Sequence, residues 1–119
     1  MTIRLTPARL AAAYECLRAF PPFCRWRLPP ASDVRFTVLK TKAAYGQHRR
    51  LKYSDKHFVY VSAGTVGHLN TLMCTMAHEL IHVAQDVRKT TTPNTEHNAQ
   101  FWRIAKSVAR QFGWDERSF

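Results

Sequence analysis

Two histidines and a glutamate stand at a spacing that can bind a metal ion and use it. Residues 78–82 read HELIH, so the two histidines are four residues apart and Glu79 follows the first of them. On a helix, residues four apart share one face, and His78 and His82 could therefore both reach a single ion. Glu79 is rotated to one side, where it could take a proton from a water molecule. The pattern predicts one catalytic Zn²⁺ ion, with Glu79 as the general base of a metallopeptidase.

A catalytic zinc site needs a third protein ligand, and the sequence offers three candidates. His97 lies fifteen residues after His82, beyond a proline-containing loop that could bring the chain back to the first two histidines. Asp86, one helical turn after His82, and Glu96, beside His97, are the rivals. Imidazole suits zinc, so we predict His97 as the ligand and expect Asp86 to orient His82 or to lie in solvent. The alternative to a metal site is a helix with two packed histidines and an enclosed glutamate.

The motif falls in a segment that is apolar nearly all round over residues 68–87, which predicts a central helix. A first helix is expected over residues 8–20, after a capping Thr6 and Pro7, with Phe20 on its buried face. A last helix is expected over about 95–112, ending at Gly113. Strands are expected at 34–39, about 46–53 and 57–62, the last two forming a hairpin. This order predicts one compact α+β domain over residues 1–119, with a three-stranded antiparallel sheet.

The composition favours a polyanionic partner. The chain has 119 residues, with 18 lysines and arginines against 8 acidic residues, and its net charge is +10. Nucleic acid is the first expectation for such a balance, and a merely soluble basic surface is the alternative. Three cysteines without CxxC spacing predict a reducing compartment, which we take to be the cytoplasm. We expect the protein to be encoded by a bacterium or a phage, or to be associated with the nucleoid. We expect no membrane contact, because no run of about 18 apolar residues occurs. We also expect a monomer.

Basic and aromatic residues are interleaved in places that could contact nucleic acid, preferably single-stranded. The expected hairpin carries Arg49, Arg50, Lys52 and Lys56, a loop carries Arg25, Trp26 and Arg27, and the last helix carries Arg103, Lys106 and Arg110. The alternative interpretation is a set of solvated charges, with Trp26 in the core.

The residues also resemble a known family, the SprT-like zinc metallopeptidases, whose best-known relatives cut proteins crosslinked to DNA. The family pattern is HExxH, a variable loop, and then HGxxF; here HELIH is followed by HNAQF at residues 97–101. Residues 44–62 resemble the hairpin before the active helix, and the resemblance covers about 34–112. Asn98 replaces the usual glycine, and we expect it to keep a left-handed turn. No cysteine-rich zinc ribbon follows, so the domain's own surface would have to contact DNA.

The resemblance implies a zincin-like fold and an endopeptidase that acts on DNA-bound or DNA-crosslinked proteins. Under it, His78, His82 and His97 would bind zinc and Glu79 would be the catalytic base. Two other functions stay open. One is a nucleic-acid-binding module with a structural zinc ion, for which Glu79 would be unnecessary. The other is a different zinc hydrolase, such as an amidase acting on a cell-wall peptide.

Overall fold

Three helices and three strands make up the part of the chain that the computed structural model describes, which is residues 4–40, 57–63, 68–92, 95 and 97–115 and the backbone of 46–50. In chain order they are α1 (Pro7–Arg18), β1 (Val34–Leu39), β2 (Gly46–Arg50), β3 (His57–Ser62), α2 (Leu69–Arg88) and α3 (Ala99–Phe112). Short 3-10 turns at Phe23–Arg25 and Ala31–Asp33 lie between α1 and β1. The α+β class and the order of elements are confirmed.

Helix α1 begins as its sequence predicts and ends earlier. The Thr6 hydroxyl accepts a hydrogen bond from the Arg9 N–H at 3.2 Å, and Pro7 occupies the first turn. The helix buries Leu10 and Tyr14, among others, but it stops at Arg18. Phe20 therefore lies beyond the helix and is 53% exposed, so its predicted place on the buried face is wrong. The two prolines that follow disfavour helical backbone before them, which accounts for the early end.

The sheet is mixed, and the expectation of an antiparallel sheet is wrong. Its strand order is β1-β3-β2, with β3 parallel to β1 and antiparallel to β2. Strand β3 is central, and its Val59 and Val61 are fully buried. Strand β2 reads GQHRR and has no apolar side chain to bury, which suits the edge of a sheet. The expected turn of the hairpin, at 53–56, lies outside the described residues.

Helix α2 is the centre of the molecule, as predicted. It packs against α1, α3 and the sheet. Its fully buried residues point in several directions around the axis and include Met76, Ala77, Leu80, Ile81 and Val83. A helix that is covered on most sides has little freedom to move, so it gives the HELIH residues a rigid base.

Helix α3 begins four residues later than expected. Its first residue is Ala99, since Asn98 is the N-cap and accepts a hydrogen bond from the Phe101 N–H at 2.9 Å. His97 is therefore in the loop before the helix and not in its first turn. Gly113 ends the helix with a left-handed backbone (φ 73°), as predicted. Within the described ranges, none of the helices has the length and apolar character that a membrane crossing requires.

Candidate metal centre

His78, His82 and His97 converge on one point. The Nε2 atom of His78 lies 3.1 Å from Nε2 of His97 and 3.2 Å from Nε2 of His82. The three ring centroids form a triangle with sides of 5.0 Å. Helix α2 presents the first two rings, and the loop before α3 brings the third. The three histidines are therefore close enough to bind one metal ion.

The spacing of the nitrogens fits a zinc ion. Zinc binds imidazole nitrogen at about 2.0–2.1 Å in tetrahedral geometry, so two ligand nitrogens on one ion are about 3.3 Å apart. The observed separations of 3.1 and 3.2 Å are close to that value. In the tautomer that carries its proton on Nδ1, each imidazole turns an Nε2 lone pair toward the centre of the cluster, and a cation there would accept all three. The residues present fit a zinc ion.

Phe101 forms the floor of the histidine triangle. Its ring is fully buried and its centroid lies 4.7–4.8 Å from each of the three imidazole centroids. It stacks on His82 with an interplanar angle of 25°. A large rigid side chain beneath all three rings restricts how far any of them can tilt. The sequence pattern contained this aromatic residue, but its contact with all three histidines follows only from the fold.

Burial keeps the histidines of α2 in their neutral, metal-binding form. Burial, together with the neighbouring His82 and His97, lowers the pKa of His78 to about 3. Burial, with His97 beside it, lowers the pKa of His82 to about 4. Both values lie well below the ordinary histidine value of 6.5. Protons therefore compete weakly with a metal ion at neutral pH.

The same pKa values predict that the metal-free chain loses stability in acid. Between about pH 6.5 and pH 4 the unfolded chain binds more protons than the folded one, so the free energy of unfolding falls as the pH falls. Urea unfolding in a chelator, repeated across this range, measures the slope. His78→Gln should make the slope clearly shallower. An equal slope in both chains would show that His78 does not titrate as described.

A hydrogen-bond network holds the loop that carries His97. The Gln85 side chain is buried and its Nε2 donates to Oδ1 of Asn98 at 3.0 Å and to Oε1 of Gln100 at 2.9 Å. The Asn98 Nδ2 donates to the Thr90 carbonyl at 3.1 Å and to Oγ1 of Thr92 at 3.0 Å. Asn98 thus joins α2, the loop and the start of α3. It is one residue from His97, so the network fixes where the third ligand lies.

Asn98 does not replace glycine in the way the sequence predicted. Its φ and ψ are −74° and 179°, an extended conformation that most residues adopt, so the expected left-handed turn is wrong. Its side chain is what matters here, because it caps α3 and binds Gln85. The spacing of Gln85 and Asn98 contains no signal of this contact.

We predict that Asn98→Ala lowers the affinity for zinc by about 10–100-fold, because it breaks the network that fixes the adjacent His97, and loss of residues that orient a metal ligand commonly costs this much. Competition with a zinc-binding dye measures the effect. Thr6→Ala is the matched control, since it also removes an N-cap, at a cost of about 1 kcal/mol, far from the histidines in the chain. Equal zinc affinity in the two variants would show that Asn98 acts on helix stability alone.

Glu79 is 2% exposed and lies on α2 between the two histidines of that helix. An ionisable side chain is costly to bury, and such a residue beside a metal-binding cluster is a candidate for proton transfer. Cys74, one turn before His78, is partly buried, and burial raises the pKa of its thiol. Among the described residues Cys74 does not belong to the histidine cluster, so it packs here as a small apolar residue.

Of the two other candidates for the third ligand, Asp86 and Glu96, only Asp86 is among the described residues. Oδ2 of Asp86 lies 3.3 Å from Nδ1 of His57, so Asp86 pairs with a buried histidine at the start of β3. Asp86 does not belong to the histidine cluster. Glu96 lies outside the described residues. His57 is therefore a buried partner of Asp86 and, among the described residues, not a member of the histidine cluster.

The predicted nucleic-acid contacts fall only in part within the described structure. Arg49 and Arg50 pair with Phe58 and His57 in the strand register, and Lys52 and Lys56 lie outside the described residues. Arg25 and Arg27 are exposed. Trp26 packs edge-on against Phe23 at 4.9 Å and is half-buried on the core, which agrees with the alternative interpretation of that residue. Nucleic-acid contact by these groups stays a prediction.

The comparisons with known proteins found no relative of this chain. No protein-family model matches the chain, no curated protein matches it, and no solved structure matches it. The resemblance to the SprT-like family therefore rests on the sequence segments named above alone, and the convergence of His78, His82 and His97 is the finding from which a function can be argued.

Proposed function

We propose that this chain is a zinc-dependent endopeptidase of the SprT-like type, which hydrolyses peptide bonds in DNA-bound or DNA-crosslinked proteins. The observation that carries the proposal is the meeting of three imidazole nitrogens at 3.1 and 3.2 Å, with Glu79 next to His78 on the same helix. Three histidines and a neighbouring carboxylate are the set that metal-assisted hydrolysis requires.

Each residue has a defined role in this proposal. His78, His82 and His97 hold the ion, and the floor of Phe101 and the network of Asn98 keep their rings in place. A zinc ion bound there supplies a Lewis acid that makes water acidic at neutral pH. The Glu79 carboxylate accepts the proton of the attacking water and later donates it to the leaving amine. A buried glutamate on a rigid helix is well suited to hold that proton at one place.

The number of ligands favours a catalytic site over a structural one. Structural zinc sites have four protein ligands, whereas catalytic sites have three and keep one position open. In the described part of the chain the cluster contains three histidines. His97 is exposed, so the cluster is reachable from solvent on that side. An extended segment of a protein substrate could approach there, which is what an endopeptidase needs.

The charge of the chain supports a DNA-associated substrate. A net charge of +10 on 119 residues attracts nucleic acid and whatever protein is bound to it. The amidase alternative requires neither this charge nor DNA. The predicted cytoplasmic location and the monomeric state belong to the same proposal.

Cleavage of a basic protein bound to DNA tests the proposal. The zinc-loaded chain is incubated with a histone on single-stranded DNA, on duplex DNA, and without DNA. We expect cleavage that stops with a chelator, returns with zinc and is faster with DNA. Cleavage of the free protein at an equal rate would remove DNA from the function. Loss of all cleavage under every condition, with zinc bound, would favour the binding module.

A further inference from the structure

The outer face of α3 carries a shallow basic groove of about 550 Å³. We call it the α3 groove, and it is lined by Arg103, Lys106, Ser107, Arg110 and Gln111. Its five lining residues are exposed, and none of them is acidic. They follow each other at helical spacing, so the three cations form one stripe along the axis. The apolar face of the same helix, with Phe101, Ala105 and Val108, is buried in the core.

An exposed indole lies beside the histidine cluster, one residue before the first cation of this groove. Trp102 is 41% exposed, and its ring centroid is 5.8 Å from that of His97 and 5.4 Å from that of Phe101. It immediately precedes Arg103. A large aromatic side chain is therefore partly exposed to solvent next to Arg103, the cation of the stripe that is nearest to His97 in the chain.

We propose that the α3 groove and Trp102 bind single-stranded nucleic acid, with phosphates on Arg103, Lys106 and Arg110 and a base stacked on Trp102. From residue 103 to residue 110 the helix rises about 10 Å, and one stacked strand carries about three phosphates over that length. Three cations and about three phosphates match in number, so a single nucleic-acid strand fits the groove. Base stacking on an exposed aromatic ring is the second element of single-strand sites.

Other polyanions fit this surface less well. A membrane-binding helix needs an apolar face for the lipid, but the apolar face of α3 is already buried in the core. An acidic peptide would use the charges and leave the exposed indole without a role. A nucleic-acid strand uses both, since every base has a face that can stack.

The inference rests on the proposed function and deepens it, because it places the strand beside His97. A protein attached to that strand would then lie next to the metal centre. The stripe is one of the three basic groups that the sequence predicted as nucleic-acid contacts, and the groups at Arg49 and Arg50 and at Arg25 belong to other elements.

Binding of a fluorescein-labelled oligothymidine of about 12 nucleotides, measured by anisotropy at several salt concentrations, tests the proposal. Arg103→Gln with Lys106→Gln should weaken binding at least about tenfold and reduce the slope of log affinity against log salt by about 1.4, which is about 0.7 for each lost phosphate contact. Trp102→Leu should weaken binding about tenfold or more with the slope unchanged, because stacking is not ionic.

The matched control is Arg9→Gln with Lys40→Gln, which removes the same charge from two exposed residues on α1 and after β1. We expect it to keep the wild-type slope. Equal losses in the two double variants would mean that only net charge matters and would overturn the proposal. Wild-type binding to phosphatidylserine vesicles but not to the oligonucleotide would overturn it as well.

The test does not depend on peptidase activity, because it uses Glu79→Gln chains as readily as the wild type. Oligonucleotide binding through α3 by a chain that cuts no protein would keep this inference and refute the proposed function. If the wild-type chain showed zinc-dependent cleavage but the Arg103→Gln with Lys106→Gln and Trp102→Leu variants bound DNA with wild-type affinity, this inference alone would be refuted.

Discussion

Replacing Glu79 by glutamine should lower the rate of peptide cleavage by about a hundred- to ten-thousand-fold and leave one zinc ion bound. The substitution keeps the size of a side chain that is 2% exposed, so the core of α2 remains filled. The amide cannot accept the proton of the attacking water, and this step is what general-base catalysis contributes. The three histidines are unchanged, so metal content should stay the same. Initial rates of cleavage and metal analysis of the same preparation measure both effects.

Glu15→Gln is the matched control for this prediction. Glu15 is a half-buried glutamate on α1 that pairs with Arg18 at 2.9 Å, and it has no part in the metal centre. The control should keep wild-type cleavage. A Glu79→Gln chain that cuts as fast as the control would show that Glu79 is not the base, and the binding-module alternative would then be the better account of the zinc ion.

The second large effect is expected from His97→Ala, which should lower zinc affinity by more than about 100-fold and abolish cleavage. The loss should exceed that of Asn98→Ala, because it removes a ligand and not a residue that positions one. His97 is exposed and lies in a loop, so its loss leaves the core intact. Zinc titration by calorimetry, with thermal unfolding as a check of the fold, measures the change.

His68→Ala serves as its control, since His68 is an exposed histidine that precedes α2 and lies outside the cluster. It should bind zinc with wild-type affinity. If His97→Ala also bound one zinc ion tightly, the third ligand would be another residue, and Glu96, the rival suggested by its position in the sequence, would be the first to replace.

Most of the histidine cluster could be predicted from sequence because it depends on local periodicity. Because His78 and His82 are four residues apart, they lie on the same face of a helix. The apolar residues around them show that the helix is central. Thr6 and Gly113 were likewise informative, since capping and left-handed backbone follow from residue type. The preference of zinc for imidazole predicts His97 as the third residue of the cluster. The sequence does not show that His97 lies before α3 and not within it.

The errors came from features that depend on tertiary structure. Three strands in a row suggest hairpins, but the apolar β3 takes the centre and the polar β2 takes the edge, so β1 and β3 become parallel. The polarity of GQHRR was a signal for that order. The contacts of Phe101 with three imidazoles, and of Gln85 with Asn98, join residues far apart in sequence and had no such signal.

Stepwise addition of zinc to the metal-free chain, with cleavage of a DNA-bound protein followed at each step, tests the central claim most directly. One ion held by three histidines beside Glu79 predicts that cleavage rises in proportion to zinc and stops rising at one equivalent. Cleavage that is already full without metal, or that is absent at one tightly bound equivalent, would contradict the claim.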